Sequence, residues 1–451
     1  MGRLSAWWSR LTGSLWFLPS LIVAACALLA VGLVWFDRVN RFGLADAYPL
    51  VFGGGVEGSR GVLSAIAGSV ITVAGVVFSI TIVALSLASS QYSPRVLRTF
   101  MADRPTQLVL GAFVGIFTYC ILVLRTIGDV SDSDPFVPSI AVLTGTGLAL
   151  IGVGLLVYFI HHVATSIQAA SILERVASET AHVIDRVYPD RLEGNEQRDT
   201  RADDDASGWH VLEARRTGYV QGIDFEQLAA FASDHDLMLR IECAVGGFVA
   251  EGGTLLRASR PQDEAAMRRL RGRFAIGAQR SADQDVAFGI QQIVDVALKG
   301  LSPGINDTTT ALMCVDRLGA VLRRLATRRL LPRLDARAFE RLIVTRAPDF
   351  ESMAACAFDP VRRAAAGNPD VLCRLVRTAE ELLPLAPSPS RRQRIGHHLR
   401  ATLECAQRTI EAEAEREAVV SEAQRSLAVL EASLAPALVT AFGTPRSRGD
   451  A

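Results

Sequence analysis

The sequence predicts an α-helical integral membrane domain of four transmembrane helices, followed by a cytoplasmic α+β region with a small β-rich module and a helical module. Half of the 451 residues are hydrophobic and only 21% are charged, a composition that is typical of a chain with several membrane spans. Long apolar runs fill much of the first 164 residues. Beyond them the hydrophobic period alternates between that of strands and that of helices, which predicts a folded region outside the membrane.

We divide the chain into segments at the points where its composition or its hydrophobic period changes. A charged stretch that includes Asp203-Asp-Asp205 has no apolar period, which indicates a linker. The predicted segments are a four-helix transmembrane domain at 1–164, a cytoplasmic helix extension and linker at 165–208, a small β-rich module at 209–260, a mainly helical cytoplasmic module at 261–436 and a flexible tail at 437–451.

Each apolar run is long enough to cross a bilayer. A helix rises 1.5 Å per residue, so a hydrocarbon core of about 30 Å takes about 20 apolar residues. The first run is longer than the apolar part of a signal peptide and has no small-residue cleavage site directly after it, so we interpret it as an uncleaved span. The four runs lie at 15–36, 62–90, 107–127 and 137–160.

The charges of the loops predict the orientation of these spans. Three arginines and one aspartate lie between 91 and 106, whereas the connection at 128–138 holds three aspartates and no basic residue. Arg3 and Arg10 precede the first run. Because arginine-rich loops stay on the cytoplasmic side, we predict a multi-pass membrane protein with both termini in the cytoplasm.

Small and hydroxyl residues recur on one face of the second run. One interpretation is close packing against another helix, because small residues let two backbones approach in lipid. The other is a water-filled pathway in an oligomer. Arg125, near the end of the third run, is the only charged or histidine residue inside a span, which disfavours a proton relay or an ion-coupled transporter and leaves a passive pore open. The stripe consists of Ser64, Gly68, Thr72, Ser79, Ser86 and Ser90.

A short polar segment directly follows this span. It reads Gln91-Tyr92-Ser93-Pro94-Arg95 and opens the arginine-rich loop. We interpret it as a cytoplasmic elbow that couples the second span to the cytoplasmic region. Farther along, His161-His162 lies where the fourth span leaves the bilayer, and either packs at the interface or senses pH.

The β-rich module resembles the hairpins of lipoyl and biotinyl carrier domains in its Gly218-Tyr-Val-Gln221 and Gly246-Gly-Phe-Val-Ala-Glu-Gly252 segments. Those carriers modify a lysine, and this module has none, because Lys299 is the only lysine of the chain. The seven cysteines are scattered without a C-x-x-C pair, so we expect small buried thiols rather than zinc ligands. No cofactor and no metal are expected.

Polar residues cluster where two predicted helices of the last module meet at a Pro-Gly turn. In one interpretation Asp295 and Lys299 form an ordinary surface ion pair, and Asn306 or Asp307 caps the second helix. In the other interpretation these residues form a ligand site with the turn. The candidate site consists of Asp295, Lys299, Ser302, Asn306, Asp307 and Thr308.

Two stretches carry a resemblance to a known family. The first is Phe78-Ser-Ile, then Ala88-Ser-Ser-Gln-Tyr-Ser-Pro-Arg95 and Leu110-Gly111-x-Phe113. The second is Phe288-Gly-Ile-Gln-Gln-Ile-Val-Asp-Val-Ala-Leu-Lys-Gly-Leu-Ser-Pro-Gly-Ile-Asn-Asp-Thr308, with Thr310-Ala311 and Asp316-x-Leu318 after it. Together they resemble the bacterial predicted membrane proteins of the domain of unknown function 2254. The resemblance implies an integral membrane protein with a cytoplasmic part and brings no catalytic residues with it.

The motifs of several enzyme classes are missing from the sequence. It has no P-loop, no His-Glu-x-x-His and no Gly-x-Ser-x-Gly, so we expect no enzyme and no catalytic residues. The equal numbers of basic and acidic residues, 47 each, argue against a nucleic-acid partner. We favour an oligomeric channel-like or permeation protein, with the bilayer and further copies of the chain as partners. The alternative is a membrane-anchored scaffold or sensor whose cytoplasmic module binds a protein or a small ligand.

Overall fold

The structure is a computed structural model of the whole chain, and it describes residues 16–40, 55–91, 103–128, 136–166, 168–192, 208–330, 341–346 and 348–441. The chain divides into two compact units, an N-terminal unit at 1–171 and a C-terminal unit at 172–451. Each unit has its own hydrophobic core.

The N-terminal unit contains four helices that are long and apolar enough to cross a membrane. The four predicted apolar runs are therefore confirmed as helices of sufficient length and hydropathy to span a membrane. The second begins seven residues before the apolar run does, so Glu57 and Arg60 lie in its first turns. The helices are α1 (Phe17–Asn40), α2 (Gly55–Gln91), α3 (Arg104–Leu124) and α4 (Ser139–Ser166).

Helix α3 lies at the centre of this unit and packs against the other three. Half of its apolar window is buried, against less than a fifth for α1, α2 and α4. Two glycines explain its close approach to α1. A Cβ atom on Gly111 would lie 2.8 Å from the Cα atom of Pro19, and one on Gly115 would lie 2.8 Å from the sulfur of Cys26. This Gly-x-x-x-Gly pair is a small-residue helix contact inside the chain.

At one end of the bundle, charged side chains bind free helix-terminal groups. Arg60 of α2 donates to the carbonyl oxygens of Ile127 and Gly128 after α3, at 3.1 and 3.0 Å. At the same end the Asp37 carboxylate accepts from the Ala141 N–H of α4 at 3.1 Å. The four helices are therefore fixed to one another by polar contacts as well as by their apolar core.

The C-terminal unit starts with an amphipathic helix, α5 (Ala169–Val187). We expected the fourth span to continue without a break to Tyr188, but the structure gives two helices, with α4 ending at Ser166. Ion pairs with the later helix at 308–326 and the residues just after it hold α5: Glu174 pairs with Arg317, and Asp185 pairs with Arg324 and with Arg328 beyond the helix end.

Two small sheets follow and form one apolar core. The four-stranded sheet has the order β1-β5-β3-β7, in which only β3 and β7 are parallel, and the antiparallel three-stranded sheet has the order β4-β2-β6. The elements are β1 (His210–Glu213), β2 (Gly218–Ile223), α6 (Phe225–Asp234), β3 (Leu239–Ile241), β4 (Phe248–Val249), β5 (Thr254–Ala258), α7 (Glu264–Arg271), β6 (Phe274–Gly277) and β7 (Leu342–Val344).

The β-rich part therefore extends beyond the predicted range of 209–260. Strands β6 and β7 come from the stretch that we expected to be mainly helical. Each has four residues or fewer, and each joins its sheet through a partner far away in the sequence. Local periodicity does not show such pairings.

Helices form the rest of the C-terminal unit. The sequence after the prolines at 384, 387 and 389 predicts one long helix at 393–434. The structure has two, separated at Ile410, and the second continues to Ala441, into the predicted tail; residues 442–451 lie outside the described residues. The helices are α8 (Val286–Gly300), α9 (Thr308–Ala326), α10 (Phe350–Ala364), α11 (Pro369–Leu382), α12 (Pro389–Thr409) and α13 (Glu413–Ala441).

Candidate functional site: the outward face of helix α2

Helix α2 uses one face to hold the N-terminal unit together. Its buried residues are spaced three or four apart, so they share one side of the helix. On a helix of 3.6 residues per turn they occupy an arc of about 80°. They belong to the core that α2 shares with α3 and α4, and they are Leu63, Ala67, Val70, Ala74 and Val77.

The predicted stripe lies on the other side of the same helix. Ser64, Gly68, Thr72, Ser79 and Ser86 are all exposed within the chain, whereas the side chain of Ser90 lies outside the described residues. The five exposed positions fall in an arc of about 80° whose centre is about 140° from the centre of the buried face. The stripe therefore packs against nothing in the described part of the chain.

Two further glycines belong to this face. Gly61 and Gly75 lie seven residues on either side of Gly68, and seven residues are nearly two helical turns. At all three glycines a Cβ atom would find no other atom within 4 Å. We call the exposed stripe with Gly61 and Gly75 the small-residue face. Unlike the glycines of α3, those of this face have no neighbouring helix.

The hydroxyl groups of this side of α2 are partly satisfied by the helix itself. Thr72 donates to the carbonyl oxygen of Gly68 at 2.9 Å, and Ser69 donates to that of Ala65 at 2.8 Å. A hydroxyl also carries two acceptor lone pairs. These groups can therefore lie in an apolar environment and can also accept a hydrogen bond from water.

The other exposed helix faces of this unit look different. Helix α4 exposes large apolar side chains, which suit contact with lipid tails. The same type of residue lies to either side of the small-residue face on α2, for example Val76 and Phe78, which are 51% and 55% exposed, and Ile82, 46% exposed, lies within its arc. The exposed large residues of α4 are Leu143, Leu150, Ile151, Val153, Val157, Tyr158 and Ile160.

The predicted elbow lies almost entirely outside the described residues. Only Gln91, as the last residue of α2, falls within them; Tyr92, Ser93, Pro94 and Arg95 do not. The loop ends at Asp103, whose carboxylate caps α3 by accepting from the N–H and hydroxyl of Thr106, at 3.3 and 2.7 Å. The same carboxylate lies 2.8 Å from Nε2 of His162 on α4. His162 thus joins two helices at this end of the bundle, whereas His161 is exposed.

The polar cluster of the C-terminal unit is largely occupied by contacts that build the α8–α9 turn. Asp307 is the N-cap of α9 and accepts from Thr310 N–H at 3.0 Å. The hydrogen bonds from the side chain and backbone of Thr310 lower the pKa of Asp307. Thr308 accepts from Asn368 at 3.1 Å. Asp307 and Thr308 therefore have structural partners, in line with the capping interpretation.

The remaining members of this cluster are spread over the turn and α8. Asp295 accepts from Gln291 at 2.8 Å, and Ser302 donates to the carbonyl oxygen of Lys299 at 2.7 Å. Lys299 is exposed, and Asn306 is exposed with a positive φ of 49°. The structure thus places the six residues along one helix–turn–helix element without directing all their polar atoms to one point.

Sequence reasoning missed a buried ion pair at the start of α8. Asp285 is 4% exposed, caps α8 through Phe288 N–H at 3.0 Å and binds the Arg280 guanidinium through both oxygens, at 2.8 and 2.9 Å. Gly246 gives it room, since a Cβ atom there would lie 2.0 Å from the carboxylate. The signal available in the sequence was Asp285 itself, an aspartate at the helix start, three residues before Phe288. This pair joins the β-rich part to α8.

Comparison with known proteins agrees with this architecture. A family model described as "Predicted membrane protein (DUF2254)" matches residues 12–381. An uncharacterized protein of Mycobacterium tuberculosis (strain CDC 1551 / Oshkosh) is 34% identical over 429 residues, which cover 93% of this chain and 81% of that protein. An uncharacterized protein of Mycobacterium bovis is 33% identical over the same coverage. No solved structure matches.

These matches span both units of the chain. The family model begins before α1 and ends at the last turn of α11, so it contains all four apolar helices, both sheets and the α8–α9 turn. The resemblance seen in the two sequence motifs is confirmed. The chain belongs to the family of predicted membrane proteins defined by the domain of unknown function 2254.

Proposed function

We propose that this protein forms a homo-oligomer in the bacterial inner membrane and acts as a channel-like or permeation protein, with the small-residue faces of neighbouring α2 helices meeting around a shared pathway. One observation carries the proposal: α2 exposes a face of glycine, serine and threonine, with open space above its glycines, opposite the face that it buries. Small residues at such a face are typical of contacts between membrane helices, because lipid tails provide no hydrophobic force that would join the helices.

The chemistry of the same face supports a pathway for water or small solutes. Its hydroxyl groups and the backbone beside its glycines are polar, and no charged residue lies between Gly61 and Gln91. A passive pore can be lined by such groups, whereas proton relays and ion-coupled transporters usually keep an ionisable residue in the membrane. We therefore propose passive permeation and no enzymatic activity.

The orientation of the assembly follows from the loop charges. With the arginine-rich loop in the cytoplasm, both termini and the C-terminal unit lie on that side. The predicted elbow at 91–95 then connects the end of α2 to the cytoplasmic side. We propose that the C-terminal unit regulates the pathway from the cytoplasmic side.

The conductance of planar bilayers in symmetrical potassium chloride tests the proposed pathway. We expect the wild-type protein to conduct and Ser79→Leu to abolish conductance, because a leucine fills the polar face with an apolar side chain. Gly154→Leu is the matched control, since Gly154 is exposed on α4 and a Cβ atom there has no atom within 4 Å. Equal conductance of Ser79→Leu and wild type, with equal subunit counts, would exclude the pathway.

A second candidate function is that of a membrane-anchored scaffold or sensor. It is favoured by the α8–α9 turn, where Pro303, Gly304, Ile305 and Asn306 are all exposed between two mostly buried helices. Ile305 is 43% exposed, which is unusual for an isoleucine in a turn held by backbone hydrogen bonds. Ile305→Ser should weaken the binding of a cytoplasmic partner in a pull-down without a change in melting temperature, and unchanged recovery of every partner would refute this function.

A further inference from the structure

Inside the C-terminal unit a histidine is buried with one ring nitrogen unpaired. His398 of α12 is 3% exposed, and its Nδ1 atom has no hydrogen-bond partner among the described residues. The nearest acidic oxygen is Oδ1 of Asp359 on α10, at 3.4 Å. The ring also stacks on Phe358 of α10, with 5.2 Å between the ring centroids. The imidazole is therefore wedged between an aromatic ring and the edge of a carboxylate.

The charged groups around this ring come mainly from α10. Asp359 also contacts Arg362 at 3.5 Å, and Nε of Arg362 is itself buried without a hydrogen-bond partner. On α12, the exposed His397 meets the His398 ring edge-on at 5.6 Å. Helices α11 and α13 also pack against α12, and their paired carboxylates have other partners: Glu380 with Ser426, Glu381 with Arg323, and Glu422 with Arg377 and Cys373.

Burial disfavours the positive charge on this ring. It lowers the pKa of His398, and the charges of His397 and Arg362 act in the same direction, whereas Asp359 opposes them. The folded protein therefore takes up a proton here less readily than the unfolded chain does. A lowered histidine pKa contributes stability above the ordinary histidine range, and that contribution is lost as the pH falls.

We propose that His398 is a proton-sensitive contact between α10 and α12, which loosens the packing of these two helices when the pH falls from about 7.5 to about 5.5. A protonated ring at this position is a cation shielded from water, and it competes with Arg362 for the single carboxylate of Asp359. This contact lies in the C-terminal unit, and the proposal for it does not rest on the proposed pathway along α2.

Amide hydrogen exchange of the full chain in lipid nanodiscs at the two pH values tests this proposal, after correction for the intrinsic exchange rate. Exchange in 389–409 of the wild type should rise several-fold at the lower pH. His398→Gln removes the titrating ring and should abolish this rise, whereas His397→Gln, the exposed neighbour, should keep it. A full rise in His398→Gln would overturn the proposal.

A second variant keeps the test decisive if His398→Gln fails to fold. Asp359→Asn removes the carboxylate charge that raises the pKa of His398, while it preserves the size of the side chain. The rise in exchange at the lower pH should then be larger than in the wild type. The same or a smaller rise would contradict the proposed contact.

Discussion

The glycines of α3 and those of α2 differ in whether the described part of the chain packs against them. On α3, Gly111 and Gly115 meet α1 so closely that an added Cβ atom would lie 2.8 Å from the next atom. On α2, Gly61, Gly68 and Gly75 meet nothing within 4 Å. The glycines of α3 build the fold of a single copy. The difference indicates that those of α2 are available to a neighbour outside the chain.

The largest loss of stability is expected at Gly111, where another helix occupies the space beside the glycine. Gly111→Leu puts a side chain where the backbone of Pro19 lies, and backbone cannot move aside as a flexible side chain can. We expect a loss of at least about 3 kcal/mol of stability or a failure to fold. Thermal unfolding in nanodiscs measures this loss. A variant as stable as the wild type would show that α1 and α3 do not pack as described.

The next largest loss of stability is expected at Gly246 of the C-terminal unit, where the Asp285 carboxylate occupies the space beside the glycine. Gly246 has a positive φ of 82°, and a Cβ atom there would lie 2.0 Å from the buried Asp285 carboxylate. Gly246→Ala should therefore cost about 2 to 4 kcal/mol through backbone strain and the disturbed pair with Arg280. Gly252→Ala is the control, since Gly252 has a similar φ of 80° but open space around it. Equal melting temperatures for both variants would show that strain alone matters.

A smaller effect is expected at the helix cap of the α8–α9 turn. Asp307→Ala should lower stability by about 1 kcal/mol, whereas Asp307→Asn keeps most of the cap. Because hydrogen bonds lower the pKa of Asp307, its contribution is complete above the ordinary carboxyl range and is lost as the pH falls through the lowered value. The difference in melting temperature between wild type and Asp307→Ala should shrink in acid. A difference that is constant with pH would contradict the role of the charge.

The smallest effect is expected on the open face of α2. The hydroxyl of Thr72 is satisfied by the Gly68 carbonyl oxygen of its own helix. Thr72→Val should therefore change the stability of the assembly by less than about 0.5 kcal/mol, which is a small change in its melting temperature. In the same variant the conductance in potassium chloride should fall, because one polar group of the proposed lining is lost. A large loss of stability would instead indicate that Thr72 makes a polar contact with another chain.

Much of the membrane unit could be predicted from the sequence because its signal is local. Length and hydropathy locate all four helices, although the helix ends lie up to seven residues from the predicted ones, and one helical period suffices to show the stripe on α2. Which small-residue pattern is filled could not be predicted. Gly111 and Gly68 look alike in sequence, and only the packing of α1 against α3 distinguishes them.

The C-terminal unit was less predictable because tertiary contacts override its local pattern. No proline or glycine marks the end of α12, yet the chain turns at Ile410. There the Thr409 hydroxyl accepts from Gly367 N–H at 2.9 Å, a contact from a distant turn. Strand β7 has only three residues and joins the sheet through β3, about a hundred residues earlier. The capping of α9 by Asp307 was visible, since a cap is a local feature.

The subunit count of the purified protein in nanodiscs, measured by native mass, tests the central claim most directly. We predict a defined oligomer for the wild type and for Gly154→Leu, and a monomer for Gly68→Leu. In both variants the leucine enters open space in the single chain, so neither should disturb its fold. A monomeric wild type, or an unchanged count for Gly68→Leu, would contradict the account, because the small-residue face of α2 would then have no second copy to bind.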